Sequence, residues 1–131
     1  MLKISSKQLQ EIVDLEWQRL RQRVEWLWPD ISGKLYPEHP LISPAEVQFW
    51  TQQTVNACKA WDMDVEHAYI ALAINVLSAV TLRLPQAFVQ DMQAYFLASV
   101  AADQDADHAM AQQWMRMVLF EQKNLQLKGL I

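Results

Sequence analysis

Glycine is almost absent from this chain, since only Gly33 and Gly129 occur among its 131 residues. Folds built from β-strands use glycine in many tight turns, because glycine adopts the backbone angles that such turns require. The scarcity of glycine therefore favours helices. Apolar residues make up 52% of the chain, which is enough to offset the entropy lost on folding. The sequence predicts an all-α fold, with a single helical domain over residues 1–131.

The spacing of apolar residues predicts a compact bundle of about five helices. The first runs from about Ser6 to Trp28, and Pro29 is expected to end it because proline has no backbone N–H. A proline-rich connection over residues 29–43 follows this helix. The apolar face of the first helix is expected to consist of residues three or four positions apart, namely Leu9, Ile12, Val13, Leu20, Val24 and Leu27.

Local signals place the other four helices. Ser43 and Glu46 form a capping box with Pro44 at the first helical position, so a second helix is expected from there to about Trp61. A third helix over residues 65–83 is apolar almost all round, as expected of a central helix. A fourth is predicted from Pro85 to about Ala101, and a fifth from about Ala106 to Gln126.

Charge and cysteine content restrict the class of protein. The formal net charge is −4, which argues against a nucleic-acid binder, because such proteins carry a basic surplus. Cys58 is the only cysteine, so an internal disulfide is excluded and a reducing compartment is favoured. The most apolar run, residues 68–82, is shorter than the roughly 20 residues of a membrane span. We therefore expect a cytoplasmic protein without a membrane-spanning helix.

The sequence predicts no catalytic, cofactor-binding or metal-binding residues, and hence no enzyme. His39, His67 and His108 lack the spacing that places two ligands on one face of a helix. An aspartate-rich run over residues 103–107 lacks the glycine and the glutamate of a calcium loop, so helix capping explains it better. Cys58 lies on the apolar face of the second helix and is expected to be an inert buried thiol.

Three polar residues interrupt the apolar third helix at three-residue spacing: Asn75, Ser78 and Thr81. Buried polar groups require hydrogen-bond partners. One interpretation is that these side chains are satisfied along a seam between helices. The alternative is that they face a partner or line a ligand pocket.

Tryptophan is the most over-represented residue, with six in the chain. Trp17 and Trp28 are eleven positions apart, close to three helical turns, so they share a face, whereas Trp26 lies on another side. Trp50, Trp61 and Trp114 are expected in the core. Because aromatic residues and arginine dominate binding hot spots, we predict a partner-binding surface formed by Trp17, Arg19, Arg21, Arg23, Trp26, Trp28 and Tyr36. Alternatively, the arginines are a solvated face.

Residues 47–88 carry an ordered set of features: an aromatic residue, a helix with a small-residue and aromatic end, a charged helix start and an apolar helix. The positions are Phe49, Ala57, Ala60-Trp61-Asp62-Met63, Asp64-Val65-Glu66-His67-Ala68-Tyr69-Ile70, Pro85 and Phe88. This order resembles a family of small helical proteins encoded beside the VgrG and PAAR genes of type VI secretion systems. Asp62 departs from the family pattern, which prefers glycine there because glycine readily adopts a left-handed helix end.

The resemblance implies an accessory role in secretion, as a chaperone or adaptor for an effector or as an immunity protein against a toxin. It implies no catalytic residue. The function expected from the sequence is therefore a non-enzymatic protein-binding module. Two alternatives stay open: a small-molecule-binding or catalytic bundle with a pocket near Asn75 and Ser78, and a homo-oligomer built on an exposed tryptophan face.

Overall fold

The backbone folds into helices, and the predicted all-α class is confirmed. The computed structural model describes residues 5–61, 66–102, 116 and 123–129, with the side chains of residues 66–68 excepted. Within these ranges no residue lies in a strand. The helices are α1 (Ser6–Leu35), α2 (Pro44–Ala60), α3 (Glu66–Thr81) and α4 (Gln86–Ala102), and residues 123–127 are helical as well.

Several predicted features lie outside the described residues. They include most of the predicted fifth helix and the side chains of Asp62, Asp64, His67, His108 and Trp114, together with the aspartates at 103, 105 and 107. Leu125, near the end of the predicted fifth helix, is described and is buried in the core. None of the described helices combines the length and the hydropathy that a membrane span requires.

The predicted end of the first helix at Trp28 is wrong, because α1 continues through Pro29 to Leu35. Pro29 is exposed, whereas Ser32 and Tyr36 beyond it are buried. The free energy gained by burying the turn after Pro29 therefore offsets the cost of the hydrogen bond that proline cannot make. The helix ends where the backbone N–H of Tyr36 donates to Ser32 O at 2.7 Å. As a result, the connection to α2 is residues 36–43 and not the predicted 29–43.

Two serine caps set the starts of α1 and α2. Ser5 and Gln8 form a reciprocal capping box, in which each side chain accepts a hydrogen bond from the other residue's backbone N–H. At α2, Ser43 Oγ accepts from Glu46 N at 3.1 Å, as predicted. The Glu46 carboxylate, however, accepts from the Ser43 hydroxyl at 3.2 Å instead of from its backbone N–H. Pro44 occupies the first turn, where its missing N–H costs nothing.

The third helix ends without a glycine. Arg83 adopts a φ of 62°, the left-handed conformation that helix ends usually assign to glycine. The backbone N–H of Leu84 donates to Ala79 O at 3.0 Å, which closes the turn over this residue. With only two glycines in the chain, an exposed arginine therefore carries the conformational strain of this turn.

The helix α3 is central, as predicted from its apolar composition, and it packs against α1, α2 and α4. Helices α1 and α2 run antiparallel. Lys59 Nζ donates to Asp14 Oδ1 at 2.7 Å at one end of this pair. Farther along, the Thr51 hydroxyl lies 2.9 Å from Glu25 Oε1. Helix α4 is tied to α2 by the hydrogen bond from Gln93 Nε2 to Thr54 Oγ1, at 3.3 Å.

Candidate functional site

The predicted partner-binding residues divide into two groups in the structure. Trp17, Trp28 and Tyr36 are buried in the core, so they cannot meet a partner while α1 stays packed. Trp17 instead makes an edge-on contact with the ring of Tyr69 on α3, with ring centroids 5.7 Å apart. Arg21 is also largely inaccessible to a partner, because its side chain is only 11% exposed and forms an ion pair with Glu25 one turn later.

The second group faces outward. Arg19 and Arg23 are exposed, and Trp26 exposes 78% of its surface. These three residues share one side of α1, because they are spaced four and three positions apart. An exposed indole flanked by guanidinium groups has the composition of a protein-binding hot spot.

The same side of α1 continues toward its N-terminus through residues that the sequence placed differently. Leu9 and Ile12 were expected on the buried face, yet they are 56% and 45% exposed. Glu16 lies between them and Arg19 and is also exposed. We call this surface the outward face; it consists of Leu9, Ile12, Glu16, Arg19, Arg23 and Trp26. The signal that could have found it is an unbroken three-and-four spacing from Leu9 to Trp26.

The buried line of α1 runs through different residues from the predicted apolar face. It consists of Trp17, Val24, Trp28 and Ser32. Of the predicted apolar face, Val24 is buried and Leu20 is half-buried, whereas Val13 and Leu27 are exposed. The side of α1 that carries Trp17 and Trp28 is therefore the buried one, and Trp17 contacts Tyr69 of α3 there.

The other tryptophans match their predictions unevenly. Trp50 is half-buried against the core and its neighbour Phe49 is 50% exposed. The prediction that Trp61 belongs to the core is wrong, because it is 43% exposed at the end of α2. Since Lys59 pairs with Asp14, Trp61 lies at the same end of the bundle as the first turns of α1.

A second candidate site is the polar stripe on α3. Asn75, Ser78 and Thr81 are all buried. The Asn75 amide donates to Ala71 O at 2.8 Å, within its own helix. Among the described residues, Asn75 Oδ1 and Thr81 Oγ1 have no hydrogen-bond partner. The interpretation as a satisfied seam therefore holds for the Asn75 amide nitrogen and fails for Asn75 Oδ1 and Thr81 Oγ1.

Other buried polar atoms of α1 and α3 also lack hydrogen-bond partners among the residues that the structure describes. Within the described part of the chain, Trp28 Nε1, Ser32 Oγ and Tyr69 OH also have no hydrogen-bond partner. The phenol of Tyr36 faces Ser78, and burial raises the pKa of Tyr36 while the Ser78 hydroxyl partly offsets that rise. Each unpaired buried polar atom costs about 1–3 kcal/mol, so α1 and α3 bury more polar groups than the hydrogen bonds among the described residues satisfy.

Cys58 is buried, as predicted, and burial raises the pKa of its thiol to about 12, so it is not ionised near neutral pH. Within the described residues, no three His, Cys, Asp or Glu side chains lie close enough together to hold a metal ion.

Comparison with known proteins adds no relative. No protein-family model matches the chain, and no curated protein or solved structure matches it either.

Proposed function

We propose that this chain is a non-enzymatic protein-binding module whose partner contacts the outward face of α1, with Trp26 as the anchor. The observation that supports this proposal is the 78% exposure of Trp26 beside Arg19 and Arg23. Covering about 150 Å2 of indole surface would stabilise a complex by roughly 4 kcal/mol before ordering costs. The arginines would orient the partner through charged hydrogen bonds.

The partner that we propose is a secreted effector or toxin, or part of its delivery apparatus. This proposal rests on the resemblance of residues 47–88 to type VI secretion accessory proteins. The chain would then act as an effector chaperone or adaptor, or as an immunity protein. These roles differ in the partner surface that is covered: an immunity protein blocks the active site of a toxin, whereas a chaperone covers surface that is exposed before delivery.

The test is co-expression of the tagged chain with the products of the genes adjacent to its own, followed by affinity measurement on any complex obtained. Trp26→Ala is expected to weaken binding by about 10- to 30-fold, because it removes the largest exposed anchor. Tyr95→Ala is the matched control, since Tyr95 is a 50% exposed aromatic residue on α4. Equal affinity of the Trp26→Ala variant would show that the partner binds elsewhere. If no neighbouring product binds, the secretion role loses its support.

Buried polar atoms of α3 that lack a hydrogen-bond partner among the described residues favour a second candidate function, the binding of a small molecule near Asn75 and Ser78. Among the described residues, Asn75 Oδ1 offers an unused acceptor, and Ser78 Oγ offers a hydroxyl that can both donate and accept. These groups are neutral, so the matching ligand would be a small uncharged molecule carrying both donors and acceptors.

A thermal-shift screen with uncharged polar compounds tests this second function. A ligand present at about 100 times its Kd is expected to raise the Tm by roughly 5–10 °C. The shift should be lost in Ser78→Ala and kept in Ser99→Ala, because the Ser99 hydroxyl instead bonds to Tyr95 O on α4. A screen in which no compound shifts the wild-type Tm counts against the pocket.

A further inference from the structure

The outward face of α1 has the spacing of a helix-pairing seam. Its six residues follow one another at alternating steps of three and four, the pattern that keeps one side of a helix facing a partner helix. They fall within an arc of about 100° around the helix axis. All six are exposed, so this seam is separate from the buried line that holds α1 to the bundle.

The order of chemistry along the seam is specific. Apolar residues come first, at Leu9 and Ile12, then the acid Glu16, then two arginines, and finally Trp26. Seam positions followed by a step of three alternate with positions followed by a step of four. In an antiparallel helix pair, a position of one kind faces a position of the other kind across the interface. An identical helix running in the opposite direction therefore pairs Leu9 with Trp26, Ile12 with Arg23, and Glu16 with Arg19.

Each of these pairs is chemically matched. The Trp26 indole covers Leu9 of the other copy. The aliphatic stem of Arg23 covers Ile12, while its guanidinium group stays in contact with water. Glu16 meets Arg19 as an acid–base pair. Two-fold symmetry produces every pair twice. A parallel arrangement would instead place Glu16 against Glu16 and Arg19 against Arg19, and such like-charge contacts are unfavourable.

We propose that a second copy of this chain occupies the outward face, forming a two-fold symmetric dimer in which two α1 helices pair antiparallel. The inference goes beyond the proposed function, because it assigns to the same surface a second copy of this chain, which the proposed partner would have to displace. From Leu9 to Trp26 the seam is about 26 Å long. A single helix pair of this length buries less area than a standard interface of about 800 Å2 per partner, so the dimer is expected to have a micromolar Kd.

Charge exchange at the central pair tests the inference. Sedimentation equilibrium is measured from about 1 µM to about 1 mM, which brackets a micromolar Kd. The wild type is expected to dimerise. Glu16→Arg and Arg19→Glu should each weaken self-association at least ten-fold, because each places like charges together twice. An equimolar mixture of the two variants should dimerise again, since both pairs are then opposite in charge. Lys34→Glu is the control and should dimerise as the wild type does.

The inference is overturned if the wild type is monomeric over this range, or if mixing the two variants fails to restore the dimer while circular dichroism shows both to be folded. Its failure is distinguishable from that of the proposed function. Suppose that the wild type is monomeric and that Trp26→Ala abolishes binding to the product of an adjacent gene. This result overturns only the assignment of a second copy to the outward face. A dimer restored by mixing, with partner affinity unchanged in Trp26→Ala, supports the dimer and contradicts only partner binding at this surface.

Discussion

Replacing Trp28 with alanine is expected to lower the free energy of unfolding by about 3–5 kcal/mol, whereas the same change at Trp26 should alter it by less than about 0.5 kcal/mol. The two residues are two positions apart on α1. Trp28 is 1% exposed and Trp26 is 78% exposed. Removing the buried indole leaves a cavity that the surrounding helices fill only in part.

Denaturant titration of the two variants checks this expectation. Because domains of this size unfold with a total of about 5–15 kcal/mol, the Trp28→Ala variant should lose at least about a fifth of its free energy of unfolding. The Trp28 N–H has no acceptor among the described residues, which offsets part of the packing gain and favours the lower end of the expected loss. Similar losses in both variants would contradict the assignment of Trp26 to the surface.

Replacing Pro29 with alanine is expected to raise the free energy of unfolding by about 2 kcal/mol, because proline in a helix interior costs about 3 kcal/mol relative to alanine, and part of that is recovered by its stiffening of the unfolded chain. Pro29 lies inside α1. Alanine at this position restores a backbone N–H that can donate to Glu25 O, four residues earlier.

Thermal and denaturant unfolding of Pro29→Ala provide the measurement, with Pro44→Ala as the matched control. Pro44 is at the first position of α2, where proline is well tolerated, so its replacement should bring no comparable gain. A lower Tm for Pro29→Ala than for the wild type would indicate that α1 ends at Trp28, as the sequence predicts, and would contradict the continuous helix.

The elements that the sequence predicts well are those with local causes. The start of α2 follows from Ser43, Pro44 and Glu46 alone, and the central position of α3 follows from its almost uniformly apolar composition. Such signals lie within one or two turns of the residues that they affect. They are therefore readable without knowledge of the remainder of the fold.

The features that the sequence predicts poorly depend on distant residues. Proline is a strong local stop signal, yet α1 passes Pro29 because Ser32 and Tyr36 are buried. Likewise, α1 carries more apolar residues than one face can bury, and the covered ones lie on the side of Trp17, which contacts Tyr69. The spacing of Trp17, Trp26 and Trp28 correctly separates Trp26 from the other two. It does not show which of the two sides is buried.

In the candidate site, too, some features are readable from local sequence and others depend on distant residues. The residue types of the outward face are visible in the sequence, and Arg19, Arg23 and Trp26 are predicted by their hot-spot composition. Leu9, Ile12 and Glu16 are not, because apolar spacing alone assigns the first two to the core. The unpaired hydroxyl of Thr81 could not be predicted either, since its partners depend on the packing between helices.

The double-sided character of α1 also matters for how the protein is made. This helix precedes α2 and α3 in the chain, so the ribosome releases it before either helix that covers its buried line exists. During that interval Trp17 and Trp28 are uncovered together with Trp26, and the nascent helix presents apolar surface on two sides. Uncovered apolar surface is what misassembly and chaperones act on during synthesis. Until α3 emerges, this chain therefore exposes apolar surface that the folded bundle covers.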